Sequence, residues 1–414
     1  MGKRTILHCD INNCYASIEM LHHPKLRGHP VAVGGSVESR HGIILAKNYE
    51  AKAYGIQVGN TIWEAKQKCP GLIVVPPTYP LYQRVSRDFK TILHEYTDQT
   101  ESFGLDEEWC DVTGTVSLGK LGAEKLANEI RERVYREIGV TISIGVANNK
   151  IFAKLGSDIK KPNACTLVTD ENYMQIAWPL PVEDLLGVGR ATKRKLYGYG
   201  IKTIGELATT NPDTLQRWFG KWGLILSSFA NGLDSSPVDA SNRHKDISVG
   251  NSTTTPRDLE NEEDCWLVFL NLAESVAERV RSLGYKGKVV EISLRDNGLS
   301  SFIRQRTLAT PTNLAIEMAE MAMVLLRENY TWEKPLRSIG IRCTGFIPDD
   351  TPVQLSVFDD HIKREKKEKI EREVDIIRHR FGHYAIGRAS LTLDKTLGWI
   401  NPIADHTIHP IGYF

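Results

Sequence analysis

Residues 102–114 contain three consecutive acidic residues between two short segments in which apolar side chains alternate. This pattern is typical of a strand, a turn and a second strand. Neighbours in a strand point to opposite faces, so Asp106 and Glu107 can share one ion only at the turn, where Gly104 gives the backbone latitude. A buried run of acids is costly unless a cation meets it, whereas an exposed run is a solvated hairpin tip. This stretch alone leaves both interpretations open.

The N-terminal residues 5–19 supply one more carboxylate. An apolar strand runs to Asp10, and a helix begins after Asn12 and Asn13, which are good N-cap residues. Asp10 therefore lies at the carboxyl end of a strand, where it can join Asp106 and Glu107. Three carboxylates without histidine or cysteine suit Mg²⁺, which keeps water and substrate phosphates in its shell. The sequence thus predicts a magnesium site.

Composition places the chain among ordinary soluble proteins of two to four domains. Hydrophobic residues make up 41% and charged residues 25%, and the net charge of +1 means that any basic surface is local. Seven scattered cysteines without metal-ligand spacing favour reduced thiols in a cytoplasmic protein. We find neither a signal peptide nor a membrane-spanning apolar run, so no membrane association is expected.

The N-terminal strand and the acidic hairpin resemble those of the Y-family translesion DNA polymerases of the DinB/UmuC type, and the resemblance spans nearly all 414 residues. It implies an α+β multidomain fold, a right-hand polymerase with a ferredoxin-like palm, small fingers, a helical thumb with a helix-hairpin-helix, and a βαββαβ little-finger domain. The expected boundaries are 1–17 and 76–171 for the palm, 18–75 for the fingers, 172–235 for the thumb, 236–244 for a linker, 245–346 for the little finger and 347–414 for a C-terminal tail.

Periodicity supports the two βαββαβ regions of this arrangement. In the first, the N-terminal strand is followed by a helix at 79–96, the acidic hairpin, an amphipathic helix at 119–138 and a strand at 140–146. In the second, strands near 247–255, 288–295, 302–308 and 336–344 alternate with helices at 260–283 and 313–330.

The resemblance implies a template-directed DNA polymerase of the low-fidelity, lesion-bypass type. Two Mg²⁺ ions would assist phosphoryl transfer from a deoxynucleoside triphosphate to the primer 3′-hydroxyl. Asp10, Asp106 and Glu107 would be the catalytic metal ligands, with the backbone carbonyl of Ile11 completing the shell. Asn12 stands where many relatives carry a second aspartate and is not a metal candidate.

Four residues are expected to contact the incoming nucleotide through the same resemblance. Tyr15 would be the steric gate that blocks a 2′-hydroxyl. Tyr49 and Lys52, three apart on one helical turn, would face the triphosphate with Lys161. The family usually has arginine at the position of Lys52, and lysine offers a point charge instead of a bidentate fork. The neighbouring pair at 108–109 also departs from the family, so we expect different packing near the site.

Two regions are expected to bind DNA. A helix-hairpin-helix signature spans 185–207, where Gly187 and Gly189 let backbone N–H groups approach a phosphate and Lys193 and Arg194 add charge. A helical turn used only for packing is the alternative. In the second βαββαβ region, several basic residues have period-two spacing that would place them on one DNA-facing surface of a sheet. These residues are Lys286, Lys288, Arg295, Arg304, Arg306 and Arg342.

A short peptide in the tail resembles the segment by which bacterial polymerases bind the β sliding clamp. It consists of Gln354, Leu355, Ser356, Val357 and Phe358. The charged residues 361–380 that follow are expected to form a helix with a solvated face.

The expected partners are therefore primer–template DNA, a deoxynucleoside triphosphate and the β clamp, bound by a monomer. Two other classes stay open. A nucleotidyl cyclase can use a similar palm but needs neither the helix-hairpin-helix nor the clamp-like peptide. A catalytically idle DNA-binding scaffold would tolerate loss of the three carboxylates. The choice between the DinB and UmuC branches is also open, because residues 10–12 and 110–114 look UmuC-like.

Overall fold

The computed structural model describes residues 4–35, 37, 42–115, 120–239, 248–352 and 361–398. These residues divide into two compact units. Of the described residues, the first unit contains 4–34 and 43–239, and the second contains 35, 37, 42, 248–352 and 361–398. No helix within the described ranges combines the length and apolar character needed to cross a membrane.

The main sheet of the first unit has five strands in the order β5-β6-β1-β7-β8. The strands are β1 (Ile6–Ile11), β5 (Thr100–Ser102), β6 (Glu107–Asp111), β7 (Ile142–Ala147) and β8 (Cys165–Leu167). β1 is buried along its whole length because it pairs antiparallel with both β6 and β7. The strand order β5-β6-β1-β7 is that of a ferredoxin-like fold, as the sequence predicts, and β8 is added in parallel beside β7.

Helices cover both faces of this sheet. They are α1 (Cys14–His22), α4 (Tyr79–His94), α5 (Lys120–Ile138) and α6 (Lys150–Ile159). Residues alternate along β1, so Leu7 and Cys9 share one core with Phe89 of α4, whereas Ile6 joins a second core with Ile151 and Phe152 of α6. Residues 8 and 10 of β1 therefore lie on the α6 side of the sheet.

A small three-stranded sheet in the order β3-β2-β4 forms the region expected to be the fingers. Its elements are β2 (Val31–Gly34), β3 (Ile44–Lys47), α2 (Tyr49–Ala53), α3 (Ile62–Lys68) and β4 (Ile73–Val75). Both helices begin at side-chain caps, because Asn48 accepts a hydrogen bond from the Ala51 N–H and Thr61 forms a capping box with Glu64.

Five helices complete the first unit. They are α7 (Tyr173–Ile176), α8 (Arg190–Gly198), α9 (Ile204–Thr209), α10 (Pro212–Phe219) and α11 (Lys221–Ala230). Their apolar residues, such as Leu196, Leu207 and Leu226, join the core on the α6 side of the main sheet.

The second unit has the predicted βαββαβ order. Its elements are β9 (Ser248–Leu259), α12 (Glu262–Ser282), β10 (Tyr285–Asp296), β11 (Ser301–Thr312), α13 (Ala315–Asn329) and β12 (Leu336–Pro348). The antiparallel sheet has the order β11-β10-β12-β9, and both helices share its core. The strand order differs from that of the first unit because β10 lies between β11 and β12.

The C-terminal segment packs onto the second unit through α14 (His361–Phe381) and α15 (Lys395–Gly398). Glu371 and Arg378 of α14 are buried, and Leu391 and Leu397 join the core of this unit. Arg378 donates to Glu274 of α12 at 2.8 Å. The prediction of a solvated charged tail is therefore wrong for this face of α14, because its charges pair with those of α12.

Candidate active site

Strand pairing brings the predicted carboxylates to one end of the main sheet. Asp10 lies directly opposite Glu107 in the β1–β6 register. Asp106 lies in the turn that precedes β6, where its carbonyl accepts a hydrogen bond from the Ile11 N–H at 2.9 Å. Gly104 has a φ of 116°, which favours glycine and permits the bend that the sequence predicts.

Burial controls the protonation of these acids. It raises the pKa of Asp10 to about 8, although the Lys161 ammonium opposes that rise. Burial and the neighbouring Glu107 charge also raise the pKa of Asp106. Burial acts in the same direction on Glu107, but His8 and Lys154 outweigh it and lower the pKa of Glu107 to about 2.

Two lysines neutralise the carboxylates. The Lys161 Nζ lies 3.0 Å from Asp10 Oδ1 and 2.8 Å from Asp158 Oδ1. Lys154 of α6 forms a close ion pair with Glu107 and lies over the ring of Phe103. Lys161 is the lysine that the family resemblance assigns to nucleotide phosphates, whereas no predicted motif singles out Lys154. The only sequence feature that marks Lys154 is its place four residues after the first residue of α6.

The oxygen-only donor set of Asp10, Asp106 and Glu107 fits a hard cation such as Mg²⁺. Burial, and to a lesser extent the neighbouring carboxylates, raises the pKa of Asp10 and Asp106, and a bound cation would favour their ionised forms. Within the described ranges, however, no three His, Cys, Asp or Glu side chains are arranged as a metal cluster. The backbone gathers the three residues, while the Asp10 and Glu107 carboxylates are turned to lysines.

Asn12 connects the end of β1 to the loop that carries Lys161. Its side-chain nitrogen donates to Ser143 Oγ at 2.9 Å, and its side-chain oxygen accepts from the Asn163 N–H at 2.8 Å. These contacts occupy the Asn12 amide. The expectation that Asn12 is not a metal ligand stays a prediction, and the contacts give this side chain a structural task.

Tyr15 is stacked against an aromatic cluster beside the carboxylates. Its ring lies 4.3 Å from that of Tyr82 at an interplanar angle of 11°, and Tyr79 contacts both rings edge-on. Tyr82 is fully buried and donates a hydrogen bond to Glu19 at 2.5 Å. This support for Tyr15 is not predictable from the sequence pattern, because α1 and α4 are distant in the chain.

Tyr49 and Lys52 lie together on α2, with the Lys52 ammonium 5.8 Å from the centre of the Tyr49 ring. Burial raises the pKa of Tyr49, while Lys161 and Asp10 act on it in opposite directions. Tyr49 is thus electrostatically coupled to the carboxylate site, and Lys52 is exposed next to it.

The helix-hairpin-helix begins as predicted, since Gly187 has a φ of 90° and Gly189 is the N-cap of α8. Lys193 is paired with Glu183 at 2.7 Å, and Arg194 is exposed. A phosphate contact by Lys193 would therefore require exchange of this surface ion pair, which costs little.

The basic residues of the second sheet do not share one face. Arg304 and Arg306 of β11 are opposite buried Ile292 and Val290, and they pair on the helical side with Asn329 and Glu328 of α13. The prediction that the basic residues share one sheet surface is therefore wrong, because the register puts this pair on the helix-bearing face, and DNA contact by Arg304 and Arg306 stays a prediction.

Arg342 and Arg295 lie on the opposite face of that sheet. The register sets Arg342 beside Glu291, with an ion pair at 3.4 Å, and sets Arg295 between Ser301 and Ser338. Lys286 pairs with Asp349, and Lys288 is exposed near a β-bulge. The clamp-like peptide, Gln354 to Phe358, lies outside the described residues.

Comparison with known proteins identifies the class. Residues 9–158 match the impB/mucB/samB family, residues 247–357 match the C-terminal domain of that family, and residues 183–234 match the thumb domain of DNA polymerase-iota. A solved Y-family DNA polymerase chimera has a TM-score of 0.74 at 23% identity and covers 83% of this chain and 99% of its own. The chain therefore belongs to the impB/mucB/samB family of Y-family DNA polymerases.

Particular relatives narrow the branch. A protein of Acetivibrio thermocellus named DNA polymerase IV is 50% identical over 96% of this chain and all of its own length. DNA polymerase IV 1 of Bacillus subtilis is 38% identical over 95% of this chain and 94% of its own length. The resemblance predicted from the sequence is confirmed, and these relatives place the chain with DinB-type bacterial polymerases.

Proposed function

We propose that, in this translesion-type DNA polymerase, Asp10, Asp106 and Glu107 hold two Mg²⁺ ions, with the Ile11 carbonyl as a further ligand. The observation that carries this proposal is the β1–β6 register, which sets Asp10 opposite Glu107 and Asp106 in the adjoining turn. When bound, the ions would favour the primer 3′-oxygen as nucleophile and neutralise charge on the triphosphate.

The protein's own residues would prepare the nucleotide. Lys161 is held at the site by ion pairs with Asp10 and Asp158. Its ammonium would bind a phosphate oxygen of the nucleotide in place of one of these carboxylates. Tyr49 and Lys52 would meet the same triphosphate from α2. Tyr15 would block a 2′-hydroxyl. The Tyr82 ring, stacked against that of Tyr15, would keep the Tyr15 side chain from moving aside.

DNA would be positioned without sequence reading. The backbone N–H groups around Gly187 and Gly189 would approach a phosphate, assisted by Lys193 and Arg194. In the second unit, Arg295 and Arg342 lie on the sheet face opposite the helices and are better placed for DNA than Arg304 and Arg306.

The clamp-like peptide at 354–358 supports binding to a bacterial β clamp. We also propose that the polymerase acts as a monomer in the cytoplasm. We propose the same boundaries for the palm, fingers, thumb, linker, little finger and tail as those expected from the sequence.

Primer extension with Mg²⁺ on undamaged and abasic templates tests this function. We expect wild type to extend primers on both templates and Asp106→Ala to lose extension. The control Asp88→Ala, which removes an exposed carboxylate of α4, should behave as wild type. Tight DNA binding without extension by wild type would favour the scaffold, and cyclic nucleotide formation would favour the cyclase. Equal extension by wild type and Asp106→Ala would place the metal site elsewhere.

A further inference from the structure

His8 is a completely buried polar residue that the proposed chemistry leaves without a role. It has no exposed surface and lies two residues before Asp10 on β1. Because alternate residues of a strand share a face, His8 and Asp10 both point to the α6 side of the sheet. Burying an imidazole is costly unless its nitrogens have partners. The contacts of the two His8 nitrogens therefore decide how this cost is met.

Both nitrogens of His8 face specific groups. Nδ1 lies 2.9 Å from Ser157 Oγ of α6. Nε2 has no aligned hydrogen bond, and it lies 3.3 Å from Glu107 Oε2. The imidazole ring is packed edge-on to Trp109, with 5.1 Å between ring centres. Ser157 and Trp109 therefore fix the ring, and its remaining nitrogen lies close to the carboxylate.

Hydrogen-bond chemistry selects one arrangement for this group. A neutral imidazole carries a single N–H, so only one of the two nitrogens of His8 can donate. The Glu107 carboxylate can only accept, so Nε2 is the nitrogen that carries the proton toward it. The Ser157 hydroxyl donates to the Lys154 carbonyl at 2.7 Å, and Nδ1 accepts this proton only when the hydroxyl turns from that carbonyl toward the ring. One rotation of the Ser157 hydroxyl completes the chain from Ser157 through His8 to Glu107.

Lys154 and His8 approach the same oxygen of Glu107. Lys154 reaches Glu107 from α6 on a long side chain whose Nζ also lies over Phe103, whereas the position of His8 is set by a buried strand. Nε2 lies 3.3 Å from Oε2 without a hydrogen bond, so alignment requires the carboxylate to turn. His8 thus approaches Glu107 from the sheet and Lys154 from the helix.

We propose that His8 is a positioning residue of the polymerase site, whose Nε2 holds one oxygen of Glu107 so that the other oxygen faces the ions shared with Asp10 and Asp106. This inference rests on the proposed function of Glu107. It follows the general rule that groups behind metal ligands orient them, and that their loss typically costs about 10–100-fold in metal affinity or activity.

Four variants test the proposal. His8→Leu removes the donor at similar bulk, His8→Gln keeps an N–H donor, and Ser157→Ala removes the support of Nδ1. Leu7→Ala is the control, because it damages the same strand on the opposite face. Each is compared by thermal unfolding, by Mn²⁺ binding measured with electron paramagnetic resonance in the absence of turnover, and by steady-state primer extension over a Mg²⁺ series.

We expect His8→Leu to weaken Mn²⁺ binding and to lower kcat by about 10–100-fold, with DNA affinity unchanged. His8→Gln should recover a large part of both losses, and Ser157→Ala should show a smaller loss in the same direction. Leu7→Ala should lower the Tm without weakening Mn²⁺ binding. If His8→Leu does not fold, the contrast between His8→Gln and Ser157→Ala carries the test.

The proposal is overturned if His8→Leu binds Mn²⁺ as wild type does, or if its kcat loss only matches that of Leu7→Ala at equal Tm. It is also overturned if folded His8→Gln and Ser157→Ala are both indistinguishable from wild type. These outcomes differ from failure of the proposed function, in which wild type itself would not extend primers or Glu107→Gln would remain active.

Discussion

At the scale of single residues, the site is a set of acids that are costly to ionise together. Asp10 is only 6% exposed and lies opposite Glu107 in the sheet. Lys154 and Lys161 reduce that cost from two sides, and a cation would reduce it further. A cation bound here would therefore replace part of the positive charge that the two lysines supply to the carboxylates.

The pKa of Asp10 gives a pH prediction for the metal-free protein. Its folded-state pKa of about 8 lies above the ordinary value of 3.8, so the folded state binds this proton more tightly. The resulting stability is present below about pH 4 and is lost as the pH rises toward 8. We expect Asp10→Asn to become progressively more stable than wild type across this window.

Thermal unfolding in a chelator from pH 5 to 9 measures that difference. The informative quantity is the Tm of Asp10→Asn minus the Tm of wild type, because other titrating groups cancel. A difference that stays constant with pH would show that Asp10 is ionised throughout the range.

At the scale of elements, the packing of α6 against β7 holds the site together. α6 carries Lys154 and Ser157, and its backbone lies against Gly145 of β7. A Cβ on Gly145 would lie 1.8 Å from the Ala153 carbonyl oxygen and 2.5 Å from the Ser157 nitrogen. Backbone atoms cannot move aside as a side-chain end can, so only glycine fits between these two elements.

Gly145→Ala should therefore lower the free energy of unfolding of the first unit by about 3 kcal/mol or more, the upper end of the usual range for overpacking. Hydrogen exchange of α6 and β7 should increase, and primer extension should fall with it because α6 shifts. Gly71→Ala is the matched control, since a Cβ there meets nothing within 4 Å. We expect it to remain within about 0.5 kcal/mol of wild type. Equal stability of the two variants would contradict the close packing.

At the scale of the whole molecule, the C-terminal segment is part of the second unit. Arg281 of α12 binds Glu371 and Asp375 of α14 at 2.6 Å each, and Arg388 links Glu274 with Glu371. Arg281, Glu274 and Glu371 are buried, and Asp375 and Arg388, which pair with them, are half-buried. Removal of one partner leaves an uncompensated buried charge, which costs more than the pair contributes.

Arg378→Met should destabilise the second unit by about 1–3 kcal/mol, because buried Glu274 loses one of its two arginines and keeps Arg388. Lys369→Met, on the exposed side of the same helix, is the control. Hydrogen exchange followed by mass spectrometry would locate the loss of protection, which we expect in α12 and α14. Unchanged exchange in α12 would show that α14 contributes little to this unit.

The sequence by itself determined the features that depend on short-range patterns. The apolar run ending at Asp10, the turn at Gly104 and the two βαββαβ regions are encoded by periodicity and turn residues within each segment. These patterns place Asp10 at a strand end and Asp106 and Glu107 at a turn, and the family resemblance implies that the two places adjoin. The three carboxylates could therefore be assigned to one end of a sheet before any packing was known.

Only the tertiary structure decided which side chains meet across distant segments. The pairing of Glu107 with Lys154 and His8, the stacking of Tyr15 on Tyr82, and the burial of α14 all join residues far apart in the chain. The face taken by Arg304 and Arg306 depended on a register that period-two spacing leaves undefined. A charged residue looks alike in sequence whether it meets solvent or an opposite charge, and packing alone settles the difference.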